Sequence, residues 1–323
     1  MATPDQPGAA GPPLPVVPDP VDDGLARPRD FAARYGAGVR RGLVLGGGGI
    51  VFVAWQLGYL RGLEERGVRV GDADRIVGTS AGSVVATLVA SGRLRRAHFQ
   101  VETLAKLPQL IAVMAPAQEL RRSQLVALHA FWAATDDRPE TVQAIGRAAL
   151  AAVTPDVGTL PRSLSLLLAR RRWPSPALQV TTADAFTGER CVITEAAGVP
   201  VHRAAAASSS VPGVFAPQPV LDRRLMDGGA AGSGTHPDLV AGAERALVLA
   251  LADNGDVGVA TSPPGGFAAG VAALEASGTR VEVRTSRLPR DTMLMDPHQV
   301  PAALALGAEQ AAEDATTIGG FWA

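Results

Sequence analysis

The 323-residue chain is 47% hydrophobic and 19% charged, with a mean hydropathy of +0.15; it can fill a sizeable core and is too apolar for wholesale disorder. Thirty basic against thirty-one acidic residues give a formal charge of −1, so no basic excess exists to neutralise a phosphate backbone, which argues against nucleic acid as a partner. Lys106 is the sole lysine and Cys191 the sole cysteine, leaving little room for Schiff-base or Walker-type lysine chemistry and none for an internal disulfide or a cysteine-rich zinc site.

Residues 1–40 are dense in proline, glycine and aspartate, as in Gly11-Pro12-Pro13-Leu14-Pro15. Proline removes backbone donors and fixes φ, so this stretch is expected to be a flexible leader, with the folded domain running over 41–323. It lacks the cationic start and continuous apolar run of a secretory signal. The run Ile50–Trp55 is far short of the ~20 residues that cross a bilayer. With its lone thiol, the chain suits a reducing, cytoplasmic setting, with peripheral contact at a membrane left open.

Gly42-Leu43-Val44-Leu45 reads as a short buried strand ended by Gly46-Gly47-Gly48-Gly49. Residues 50–66 have helical spacing through Ala54, Leu57, Leu60 and Leu63, and Gly67 stops the helix. Arg75-Ile76-Val77 is a second strand, followed by a small-residue helix over 81–91 closed by Gly92. Strand–helix–strand–helix at this spacing predicts a mostly parallel sheet covered by helices. Over 94–172 the apolar residues recur only at helical intervals, through Leu104, Leu107, Leu110 and Met114, then Leu120, Leu125 and Leu128. This predicts an inserted cap of about four helices, broken at Pro108, Pro116, Pro139, Pro155 and Pro161. Strands resume at 178–182 and 191–193, a hairpin around Thr187-Gly188, and again at 246–251 and 281–283. A helix over 299–316 follows.

Three features carry chemistry. Gly78-Thr79-Ser80-Ala81-Gly82 lies between a predicted strand and a predicted helix, the context in which a nucleophilic serine is held out from a sheet with a helix N-terminus behind it. Alone, it also reads as a glycine-rich helix start. The run Gly46–Gly49 leaves successive N–H groups unshielded, a cradle for an oxyanion or a phosphate, or simply a packing turn. It matches neither a dinucleotide G-x-G-x-x-G pattern nor a Walker loop. Asp227, before Gly228 and Gly229, is a carboxylate that would take a proton from a serine, or else part of an Asp-Gly turn.

As an ordered set, together with 77–83, the stretch 207–215 (Ala-Ser-Ser-Ser-Val-Pro-Gly-Val-Phe) and 224–229, these features resemble the patatin-like phospholipase family over about 41–315. The resemblance implies a three-layer α/β/α sandwich and hydrolysis of lipid acyl esters by a Ser-Asp dyad, with no metal or cofactor. It makes Ser80 the nucleophile, Asp227 the base, and the amides of Gly47, Gly48 and Gly49 the oxyanion hole. Gly78, Gly82, Gly228 and Gly229 are the motif glycines. One departure stands out: Val51 and Phe52 occupy the places where the family has arginine or lysine followed by glycine.

Two alternatives stay open. Ser80, Asp227 and His298 occur in the chain order of an α/β-hydrolase triad, although the serine follows only the second strand. A catalytically silent lipid-binding module with the same fold is the other. His98, His129, His202 and His236 show no metal-ligand spacing. Cys191 reads as a buried, inert thiol. Ser233, Thr235 and His236, close behind the Asp-Gly-Gly turn, are expected to cap a helix starting near Pro237, or else to support the site from behind. Leu164–Trp173 reads as a core helix with its own arginines at the C-terminus, or as an interfacial helix end. Acyl-chain length, head group and oligomeric state are not written in the spacing.

Overall fold

The computed structural model describes residues 24–104, 106, 119–232, 234–251 and 266–323. Among them, eight strands form one sheet. They are β1 (Arg41–Leu45), β2 (Arg75–Thr79), β3 (Leu178–Asp184), β4 (Arg190–Ile193), β5 (Gln218–Val220), β6 (Arg223–Asp227), β7 (Arg245–Ala250) and β8 (Arg280–Thr285). A parallel block runs β3-β2-β1-β7-β8, and β4, β6 and β5 extend it antiparallel at the β3 side.

Apart from the edge strand β8, the parallel strands are buried on both faces, as a covered parallel sheet requires. Leu43, Leu45, Ile76, Leu247 and Leu249 enter the larger core on one face, while Val44, Val77 and Val248 enter a second core on the other. The larger core is roofed by α1 (Gly49–Glu65), α2 (Ala81–Ala90), α7 (Val201–Ser208) and α9 (Val300–Trp322); α8 (Gly266–Ala276) covers the second. The result is a three-layer α/β/α sandwich with a mixed, mostly parallel sheet, the helix-covered sheet that the spacing predicts and the layering that the resemblance implies. A Cβ at Gly58 would fall on the Leu304 carbonyl and one at Gly307 on that of Trp55, so α1 and α9 pack backbone to backbone.

The segment 94–172 contains α3 (Leu94–Leu104), α4 (Arg122–Trp132), α5 (Pro139–Ala151) and α6 (Thr159–Leu168). The stretch with Leu107, Pro108, Leu110, Met114 and Pro116 lies outside the described residues. Two expected breaks are starts instead: Pro139 opens α5 and Pro161 sits in the first turn of α6, where no backbone donor is needed. Helix α6 buries Leu160, Leu164 and Leu168, and Arg93, rather than its own arginines, donates to the Leu168 and Ala169 carbonyls at its end.

Of the expected leader, 1–23 lie outside the described residues, whereas 24–40 pack on the domain. Val192 N–H donates to the Leu25 carbonyl (2.8 Å), Arg27 N–H donates to that of Arg190 (2.9 Å), and Leu25 is buried. The ordered unit therefore extends upstream of Arg41.

Candidate active site

Ser80 is at the turn between β2 and α2, with φ 51° and ψ −121°. Positive φ is unfavourable for a side chain with a Cβ and persists only where the surroundings enforce it. Here the Ser80 N–H donates to Ser208 Oγ (2.8 Å), which in turn donates to the Thr181 carbonyl (2.7 Å). The Ser80 carbonyl accepts from Ser83 Oγ (2.7 Å) and Ser209 Oγ (3.2 Å). A Cβ at Gly82 would land on the Leu45 carbonyl, so only glycine lets α2 sit against the end of β1.

Asp227 reaches Ser80 through strand register. Thr181 of β3 pairs with Thr79 on one side and Val192 of β4 on the other; the next residue, Thr182, pairs with Asp227 and Cys191. Since β4 holds one edge across Val180–Ala183, β2 and β6 share the opposite edge and meet there end to end. The last residue of β6 is thus brought to the turn that follows β2.

The Gly229 N–H donates to Asp227 Oδ1 (2.9 Å), while Oδ2 is buried without a hydrogen-bond partner. Burial raises the carboxyl's pKa from 3.8 to about 6, against the lowering effects of the Ser80 hydroxyl and the Gly229 amide. The hydroxyl is near enough for that effect, yet no Ser80–Asp227 hydrogen bond closes with good geometry. Catalytic pairs are commonly long until substrate packs against them. Both side chains line one cavity.

The glycine turn faces the same cavity. A Cβ at Gly47 would lie 3.1 Å from Ser80 Cβ. Gly46 is fixed on both sides, its N–H donating to the Leu249 carbonyl and its carbonyl accepting from buried Gln56 (both 2.9 Å). The Gly47 N–H donates to the Gly234 carbonyl (2.9 Å), so it is already committed. Gly48 and Gly49, at the N-terminus of α1, donate no hydrogen bond among the described residues. Gly49, at φ 69°, is held under Leu294 and Met295, and Val51 N–H donates to the Leu294 carbonyl (3.1 Å). Val51 and Phe52 are fully buried, with Phe52 stacked on Trp55 at 5.3 Å.

The cavity holds about 560 Å³, within the range of small-molecule sites. Leu128, Phe131 and Trp132 of α4 and Leu160 and Leu164 of α6 form much of its wall, so the inserted helices do cover the serine. His298 does not line it; its side chain is 78% exposed and bonds Asp296 (3.0 Å). Among the described residues no cluster of three metal-type side chains exists. Cys191 is buried.

Of the two roles the sequence leaves to the residues behind Asp-Gly-Gly, His236 takes the supporting one; Arg190 and Asp238 behind it were not foreseen. His236 Nε2 bonds the Gly228 carbonyl (2.9 Å), and its Nδ1 lies 3.4 Å from Arg190 Nη1. Arg190 pairs with buried Asp238 through two 2.7 Å bonds. Burial, then Arg190, push the His236 pKa down to about 3; the ring is neutral, its Nε2–H donating to Gly228. The expected cap is a single 3-10 turn, Pro237–Val240, whose His236 makes no side-chain cap bond; Ser233 lies outside the described residues. Clustering behind Asp-Gly-Gly was the available signal.

Among solved structures, VipD from Legionella pneumophila is similar at 13% identity and a TM-score of 0.42, covering 92% of this chain and 69% of that one. The type III effector protein ExoU is similar at 19% identity and a TM-score of 0.31, with 86% and 54% covered. No curated protein sequence matches the chain. The family model for patatin-like phospholipase matches residues 43–240, well over half the chain, from β1 through the glycine turn, Ser80 and Asp227 to the Pro237–Val240 turn. The chain belongs to the patatin-like phospholipase family.

Proposed function

We propose that the protein hydrolyses acyl esters of lipids with Ser80 as nucleophile and Asp227 as its direct base. Family membership supports a lipid acyl hydrolase broadly. The observation that carries the finer reading is the end-to-end meeting of β2 and β6 on one edge of β3, with strained Ser80 and an Asp227 oxygen lacking a partner on the same cavity. Ser80 Oγ attacks the ester carbonyl as its proton passes to Asp227. The tetrahedral oxyanion is held by the amides of Gly48 and Gly49, aided by the α1 dipole; Gly47 shapes the turn rather than donating. Collapse expels the alkoxide, which takes the proton from Asp227. Water then attacks acyl-Ser80, Asp227 takes its proton, and the acid leaves as the serine is re-protonated.

Contact with lipid belongs to the same proposal. Among the described residues no helix is long and apolar enough to cross a membrane. Trp132 (54% exposed) and Met293 (63% exposed) both line the cavity, so they make an apolar rim for peripheral contact, in a cytoplasmic setting. Ser80→Ala or Asp227→Asn should reduce hydrolysis of short p-nitrophenyl esters by about 10,000-fold or more, while His298→Ala leaves the rate unchanged. Loss of the rate in the His298 variant, with Asp227→Asn merely slowed, would hand the reaction to a histidine triad.

A further inference from the structure

The charge around Ser80 is one-sided. Among the described residues, the only charged side chains lining the cavity are two carboxylates, Asp227 and Asp296. Asp296 accepts from the His298 N–H (2.9 Å) and His298 Nδ1 (3.0 Å), which hold its pKa below the usual carboxylate value and keep it ionised. Asp227 must be ionised to act as base. No lysine, arginine or histidine lines the cavity. This holds for the whole chain, because residues 1–23, 105, 107–118, 233 and 252–265 contain none of the three. At the two positions after the glycine turn where a cation and a glycine would be expected, Val51 and Phe52 are buried in the apolar core. The rest of the lining is overwhelmingly apolar, and the polar groups that reach it are hydroxyls and backbone amides.

A phosphate head group brought to this site would lose water without gaining a countercharge, and would face two negative groups instead. An uncharged glycerol or simple alcohol head needs only the hydroxyls and amides that are present. We propose that the cavity selects acyl esters with uncharged head groups, such as monoacylglycerols, over esters carrying an anionic phosphate. The proposal rests on the Ser80–Asp227 reading for its chemistry, while the head-group preference itself is a property of the cavity's charge.

The test compares a monoacylglycerol with a lysophosphatidic acid of the same acyl chain, both in neutral-detergent micelles at pH 8. The expected kcat/KM ratio favours the uncharged ester by about tenfold or more, the scale of one poorly screened like charge at a protein surface. The ratio should narrow as salt rises, and Met293→Arg, which adds a cation at the rim, should narrow it further. A ratio near one, or favouring the phosphate ester, overturns the proposal. The Ser80→Ala protein, titrated calorimetrically with the same two lipids, reads the preference without turnover and should bind the monoacylglycerol about tenfold more tightly. Should neither ester nor p-nitrophenyl ester turn over, the Ser80–Asp227 reading falls, and the binding arm still decides the head-group preference.

Discussion

A carboxylate with one oxygen tied to a backbone amide and the other buried without a partner is a costly arrangement, and Asp227 has it on the cavity it shares with Ser80, as the proposed proton acceptor would. Its folded pKa of about 6 exceeds the unfolded value near 3.8, so the fold prefers the protonated form. Relative stability from this group is complete below about pH 4 and is lost as pH rises through 6, where ionisation costs roughly 3 kcal/mol. Asp227→Asn keeps an acceptor for the Gly229 amide and removes the charge. Its melting temperature should exceed that of the parent at pH 8, with the gap closing toward pH 4, although the variant should be inactive. An equal gap at both values would contradict the assignment. Activity takes the opposite sign: kcat/KM should climb with pH up to a plateau above about 6, since only ionised Asp227 accepts the proton. Ser80 and Asp227 were legible as residues because each stands beside glycines in an ordered set. Their supports were less so: Ser208 accepts from the Ser80 amide across 128 residues, while Gln56 and His236 bond backbone carbonyls ten and eight residues upstream that no side-chain period marks.

Elements with a strong local period were legible at nearly their true bounds: β1, α1, β2, α2, the β3–β4 hairpin, β7 and β8, with α9 found at its start but running on to Trp322 rather than ending at 316. Those without one were not. Helix α7 is an alanine run that lacks a contrasting stripe, and β5 is three residues long with Pro219 at its centre. The sharing of one β3 edge by β2 and β6 is a register fact that no local pattern encodes. Glycines at the junctions separate crowding from turn conformation. Gly82→Ala drives a Cβ into the Leu45 backbone and should cost about 3 kcal/mol by urea unfolding. Gly92→Ala, in open space at φ 63°, should cost only about 1 kcal/mol. Equal costs would show that α2 does not sit on β1 as described.

Across the molecule, one division of labour is visible. The sheet and its short junctions hold the reactive groups, while α4, α6 and the 292–296 segment enclose them in an apolar chamber. The sequence showed that helices intervene over 94–172 but not how they fold back, because their contacts with the serine site are long-range. Trp132 sits at the opening of that chamber, and Trp132→Ala should lower turnover of vesicle-presented ester more than turnover of dissolved ester. Equal losses would place the rim away from lipid. The proposed reaction depends on one serine being activated by one aspartate. Intact-mass and peptide analysis after exposure to a fluorophosphonate tests this most directly: a single adduct should form on Ser80, vanish in Ser80→Ala and form far more slowly in Asp227→Asn. No adduct on the parent protein, or an adduct whose rate ignores Asp227, would contradict it.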